Sequence, residues 1–127
     1  MPHPASRVLA MLELLQAHHV LGGRELAGRL GVDERTVRRY AATLTELGVP
    51  VGAARGRYGG YRLRPGYKLP PLMFTDDEAL AVVLGLLAAR RLALAGDQPG
   101  APAVESAMAK LRRVLPDALA GRVTALG

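Results

Sequence analysis

The sequence contains no cysteine, so neither a disulfide framework nor a thiolate metal site is open to it, and an intracellular setting is expected. Its three histidines, His3 in the N-terminal tail and the pair His18 and His19, lack metal-ligand spacing. No metal, cofactor, small-molecule site or catalytic residue is therefore expected, and the chain reads as non-enzymatic. The neighbouring carboxylates Asp76, Asp77 and Glu78 follow Thr75 in a helix-capping pattern that accounts for them without chemistry. Long apolar runs are also missing. The longest, Ala79 to Ala89, is about half of the ~20 residues a membrane span needs and ends at Arg90 and Arg91. The start, MPHPASRVLAMLELLQ, has no charged leader or cleavage site, and Glu13 and Gln16 interrupt it. What is present is a chain of 127 residues, 50% apolar, sufficient for one ordinary domain or a small domain with an appendage.

The formal charge of +6 is unevenly spread. Residues 1 to 68 carry 11 Lys/Arg against 5 Asp/Glu, whereas residues 69 to 127 carry 6 of each. Between Arg35 and Lys68, eight basic residues face one acid, Glu46. Such a concentration is the electrostatic footprint of a polyanion-binding surface. A solvated basic face that only aids solubility is the alternative.

Hydrophobic spacing shows what carries those charges. Val8, Leu9, Leu12 and Leu15 recur at intervals of three and four, predicting a helix over 7–18 with Ser6 as N-cap. Gly22 and Gly23 break it. A short helix over 24–30 places Leu26, Ala27 and Leu30 on one face and stops at Gly31. A third helix runs from the N-cap Asp33 to the stop at Gly48. Three helices, the last two joined by a tight glycine-containing turn, outline a helix-turn-helix.

At 100° per residue, Val37, Tyr40, Ala41, Leu44 and Leu47 share one sector of the third helix, and Arg35, Arg38, Arg39, Ala42 and Glu46 point largely the other way. An arginine-rich face near a helix N-terminus suits a DNA major groove. Arg35 and Arg39 are the candidates for groove contacts, because a guanidinium fork grips guanine or phosphate at two points. Thr36 and Arg38 are placed nearer the phosphates. For Arg38 a surface pair with acids of another helix is the competing reading.

After Gly48 the period shortens. Val49 to Ala53 and Tyr61 to Arg64 read as strands joined by a glycine-rich loop, a hairpin that directly follows the recognition helix and so forms a wing. Arg55, Arg57 and Tyr58 near its tip and Arg62 on the return strand are the candidate wing contacts, which position more often than they specify. GRYGG is neither a dinucleotide fingerprint nor a Walker loop, since no Gly-Lys-Ser/Thr follows and no long helix begins there. An RNA-stacking sheet would need more strands than the sequence supplies, and Tyr61 is open to both a base-stacking and a strand-pairing role.

The second half is helical. Thr75 to Glu78 forms a capping box ahead of a helix over 76–95 that is apolar nearly all round. GDQPGAP separates it from a helix carrying Val104, Met108, Leu111 and Leu115, and Pro116 with Asp117 opens a last one with Leu119, Val123 and Leu126. This half is read as a linker that dimerises or docks a further domain, with an intramolecular bundle as the alternative.

The segments ELAGRLGV, RTVRRY, LGVPV, RGRYGGYRL and LPPLMFTDDEALA stand in that order, and over residues 6 to 95 the chain resembles the N-terminal part of bacterial WYL-domain-containing transcriptional regulators, also described as DeoR-like. The resemblance implies a winged helix-turn-helix that binds double-stranded DNA sequence-specifically through Arg35, Thr36, Arg38 and Arg39. Many relatives have Ser where Asp33 stands, an exchange of N-caps. Many have Asp where Tyr40 stands, so contacts of that acid do not carry over. Relatives continue into a β-rich WYL sensor domain, whereas this chain ends at Gly127 before any such segment. The fold expected is mostly α with a small β-hairpin: a winged helix-turn-helix over 1–68 and a helical linker or dimerisation region over 69–127, without the sensor. The expected function is a cytoplasmic, nucleoid-associated DNA-binding regulator acting as a homodimer, without membrane association. The alternative is a protein-interaction module that works through its apolar helices, for example by heterodimerising with a full-length regulator.

Overall fold

The computed structural model describes residues 4–54, 59–66, 69–94 and 100–126, the side chains of 4, 5, 93, 94 and 126 apart. It divides into two compact units, Met1–Met73 and Phe74–Gly127. The first contains helices α1 (Pro4–Ala17), α2 (Gly23–Leu30) and α3 (Glu34–Glu46) and strands β1 (Val51–Ala54) and β2 (Gly60–Leu63). The second contains α4 (Asp76–Leu94), α5 (Ala101–Val114) and α6 (Asp117–Leu126). Three helices followed by an antiparallel two-stranded hairpin make the mostly helical winged helix-turn-helix that the sequence pattern predicts. Among the described residues, no helix is long and apolar enough to cross a membrane.

The core of the first unit is built from one stripe of each helix. Val8, Met11, Leu12 and Leu15 of α1 lie at spacings of three, one and three and are all buried, with Leu26, Ala27 and Leu30 of α2 and Val37, Tyr40, Ala41 and Leu44 of α3. Leu9, expected in the α1 stripe, is 48% exposed, and Met11 fills the core instead. One residue past Val8, Leu9 is rotated about 100° off the buried face. α1 also begins before Ser6, which lies inside the helix rather than capping it. Pro4 explains the earlier start, since its missing N–H costs nothing in the first turn.

The end of α3 corrects another expectation. Leu47 is 71% exposed because the helix stops at Glu46 and the chain turns through Gly48 at φ 93°. Gly48 donates its amide to the Thr45 carbonyl and Val49 to that of Leu44, a Schellman closure that brings the residue after the glycine back toward the last turn. Val49, not Leu47, therefore joins Leu44 in the core. The positive φ is what requires glycine at 48. α2 ends in the same way, with Gly31 left-handed and the Val32 amide bonded to the Ala27 carbonyl.

The hairpin starts later than the sequence suggests, since Val49 belongs to the helix closure. Its register pairs Val51 with Leu63, Gly52 with Arg62, Ala53 with Tyr61 and Ala54 with Gly60. Val51, Tyr61 and Leu63 pack against the helical core, so one face of the ribbon is anchored. A further pairing, not anticipated from sequence, ties the hairpin to the α1–α2 connection. Leu21 and Tyr61 exchange both backbone hydrogen bonds, at 3.0 and 2.7 Å. This approach explains Gly60, whose φ is not positive. A Cβ there would lie 2.6 Å from the Leu21 carbonyl oxygen and 2.9 Å from its carbon. That oxygen cannot retreat without breaking its bond from Tyr61. Gly60→Ala is therefore expected to cost about 1–3 kcal/mol, as overpacking against fixed backbone does. Hydrogen exchange should show the loss first at the Leu21 and Tyr61 amides.

The chain leaving the wing is held by one side chain. Gln16 donates from Nε2 to the Pro71 carbonyl at 2.8 Å and accepts the Met73 amide at Oε1 at 2.9 Å. Both ends of one amide are thus satisfied by the same short segment.

In the second unit the capping box forms as expected. The Thr75 amide donates to Glu78 Oε1 at 2.8 Å, and the Glu78 amide to Thr75 Oγ1 at 3.2 Å. α5 stops at Val114, and Leu115, which precedes Pro116, is extended with ψ 137°, as the proline ring requires of its predecessor. Val83 and Leu87 of α4, Met108 of α5 and Val123 of α6 form a small core. Leu84, Leu92 and Val114 remain 44%, 72% and 76% exposed.

Candidate nucleic-acid interface

The N-terminus of α3 is built by its cap. Asp33 is extended and accepts the Thr36 amide at 2.7 Å, which orients the first turn. The Thr36 hydroxyl and amide hold the Asp33 carboxyl below its usual pKa, with Arg39 and Arg35 adding smaller favourable charge. Thr36 itself is half-buried and turned toward this cap.

Beyond the cap, Arg35, Arg38 and Arg39 are all exposed, Arg35 and Arg39 on the side of α3 opposite its buried face and Arg38 on its flank toward the hairpin. Among the described residues, ion pairs join Arg29 to Glu25 and Arg90 to Glu105, and none engages these three arginines. The surface-pair reading of Arg38 is thus not what the structure shows. Three guanidiniums on the first turns of one helix, without an ion pair among the described residues, can offer their fork donors to an external acceptor.

The hairpin stands beside this helix. Between them is an open concavity of about 530 Å³. Arg38 and Tyr61 line it, and the other described residues of its wall are glycine and alanine, including Gly23, Ala41, Ala53 and Gly60. Tyr61 reaches it from a fixed position, because its backbone pairs with both Ala53 and Leu21 and its ring is partly buried. A Cβ on Gly23 would lie 3.5 Å from Tyr61 Cε2 and 3.8 Å from Glu34 Oε1. Burial pushes the Tyr61 phenol above its usual pKa, Arg38 opposes this and Glu34 adds to it. The strand-pairing role of Tyr61 is therefore real, and it still leaves the ring on a concave wall.

Arg62 lies elsewhere. It alternates with Tyr61 and Leu63 along β2 and borders a separate concavity with His19, Arg64 and Pro65. The Arg64 side chain folds over β1, where a Cβ on Gly52 would meet its Nε at 2.5 Å. Arg55, Arg57 and Tyr58 lie outside the described residues. The structure thus brings Arg38 and Tyr61 together and places Arg35 and Arg39 on the same helix face, with Arg62 apart. Sequence reasoning missed Glu34 and the Leu21 pairing. The short apolar pair Val20-Leu21 between the histidines and Gly22 was the available signal for the latter. Among the described residues no group of three His, Asp or Glu is placed to hold a metal ion.

Residues 7–62, from the first turns of α1 into β2, match the HTH domain family. An uncharacterized HTH-type transcriptional regulator, YobV of Bacillus subtilis strain 168, is 30% identical over 80 residues, which are 63% of this chain and 26% of that protein. The chain thus spans about a quarter of that relative's length. No solved structure matches it significantly. The fold and the family match together place a helix-turn-helix domain in residues 7–62.

Proposed function

We propose that this chain is the DNA-binding part of a WYL-type, DeoR-like regulator, which binds duplex DNA sequence-specifically with α3 in the major groove. The observation that carries this reading is the exposed arginine face of α3, without an ion pair among the described residues, beside a docked hairpin. Arg35 and Arg39 reach base edges, Thr36 and Arg38 lie toward the backbone, and the wing residues Arg55, Arg57, Tyr58 and Arg62 position the duplex. Residues 1–68 bind DNA, and residues 69–127 form a helical linker through which two copies associate on a (pseudo)palindromic site. The exposed Leu84, Leu92 and Val114 of the second unit support association.

Salt-titrated binding to duplexes selected from a random pool tests this. Affinity is expected to fall log-linearly with salt, with a slope of about 0.9 per phosphate contacted. The selected sequences should show two half-sites about one helical turn, or a multiple of it, apart. Absence of duplex binding at low salt would sink the reading.

A further inference from the structure

We propose that the concavity between α3 and the hairpin seats a single DNA backbone phosphate, with the Arg38 guanidinium as its charged partner and the Tyr61 hydroxyl as a neutral donor. This rests on the duplex-binding reading above and deepens it by assigning Tyr61 a role in the interface. The lining leaves room and little choice of chemistry. Glycine and alanine form most of the described wall, so among the described residues Arg38 and Tyr61 bring the side-chain donors to about 530 Å³ of open space. Reading a base edge takes a patterned set of donors and acceptors, whereas among the described lining residues the phenol oxygen is the one side-chain acceptor, with the Glu34 carboxylate at the Gly23 corner. A tetrahedral anion needs only converging donors, which a fork and a hydroxyl supply.

Each partner is prepared for that role. Arg38 has no ion pair among the described residues, so no protein carboxylate must be displaced. The Tyr61 backbone is fixed on both sides by Leu21 and Ala53, which lowers the ordering cost on binding. Its phenol remains protonated at neutral pH and is able to donate. Glu34 bounds the corner near Gly23 and repels an anion there, which places the phosphate on the Arg38 side.

The test uses the full chain and its selected duplex in a series, each carrying one uncharged methylphosphonate linkage. One linkage per half-site is expected at which neutralisation weakens the wild type roughly tenfold, as loss of a charge-assisted hydrogen bond does, while Arg38→Gln shows no further loss at that linkage. Arg38→Gln should lower the salt slope by about 0.9. Tyr61→Phe should weaken binding about three- to tenfold with the slope unchanged, as loss of a neutral donor does. Base preference should be unaltered in both variants. The seat is overturned if the wild type binds duplex but Tyr61→Phe binds equally well, or loses affinity only in proportion to its unfolded fraction. It is also overturned if Arg38→Gln keeps its sensitivity at that linkage. In those cases the duplex-binding reading survives, whereas a wild type that binds no duplex removes both.

Discussion

Truncating Leu44 to alanine is expected to destabilise the first unit by about 2–5 kcal/mol, the range for deleting a buried leucine side chain. Leu44 is 2% exposed and lies in the cluster that joins α1, α2, α3 and Val49. Its carbonyl also accepts the Val49 amide at 2.9 Å, so a cavity here loosens both the core and the turn that launches the hairpin. A unit of this size buries a modest fraction of its surface and has little stability to spare, since whole domains hold only about 5–15 kcal/mol. The chain has no tryptophan, and its four tyrosines all fall within the first unit. Tyrosine emission during urea unfolding thus reports on the first unit alone, while far-ultraviolet dichroism reports on both. The expected outcome is an early tyrosine transition with the dichroism of the second unit retained. An unfolding free energy within about 0.5 kcal/mol of wild type would show that Leu44 is not a core residue.

Replacing Arg39 with alanine is expected to weaken binding to the selected duplex by about 1–3 kcal/mol, roughly five- to 150-fold, and to relax preference at one base pair per half-site. Arg39 is exposed on the outward face of α3 and has no ion pair among the described residues. Its charge is a minor contributor to the ionised Asp33 cap, and both groups are solvent-exposed, so its removal should alter folding little. The effect is then a binding effect, which separates it from Leu44→Ala, whose folded fraction should bind with wild-type affinity. Competition binding against single-base variants of the site measures it. A uniform loss across all variants would move Arg39 from base reading to backbone positioning.

The helices and their buried faces were legible from sequence because they depend on neighbours three and four residues apart. Asp33 at the start of α3 and the Thr75/Glu78 box at the start of α4 were equally readable, since a cap is a contact within one turn. Apart from Leu9 within α1, the differences fell at helix ends. Leu47 has the right angle for the core sector but lies at the C-cap, and the left-handed Gly48 redirects the chain so that Val49 takes the buried place. The arginine face was visible as a pattern, but its lack of ion pairs among the described residues was not. That required knowing where the acids of α1 and α2 stand.

Local spacing and charge by themselves determined three helices, a hairpin and a basic surface on the third helix, because periodicity, caps and glycine stops act within a few residues. Tertiary structure alone decided that Leu21 pairs with Tyr61, that Gly60 is glycine for want of space rather than for a turn, and that Arg38 and Tyr61 share a concavity while Arg62 lies apart. These depend on residues 23 to 40 positions apart meeting in space, and no window of sequence contains the backbone oxygen that a side chain at position 60 would strike.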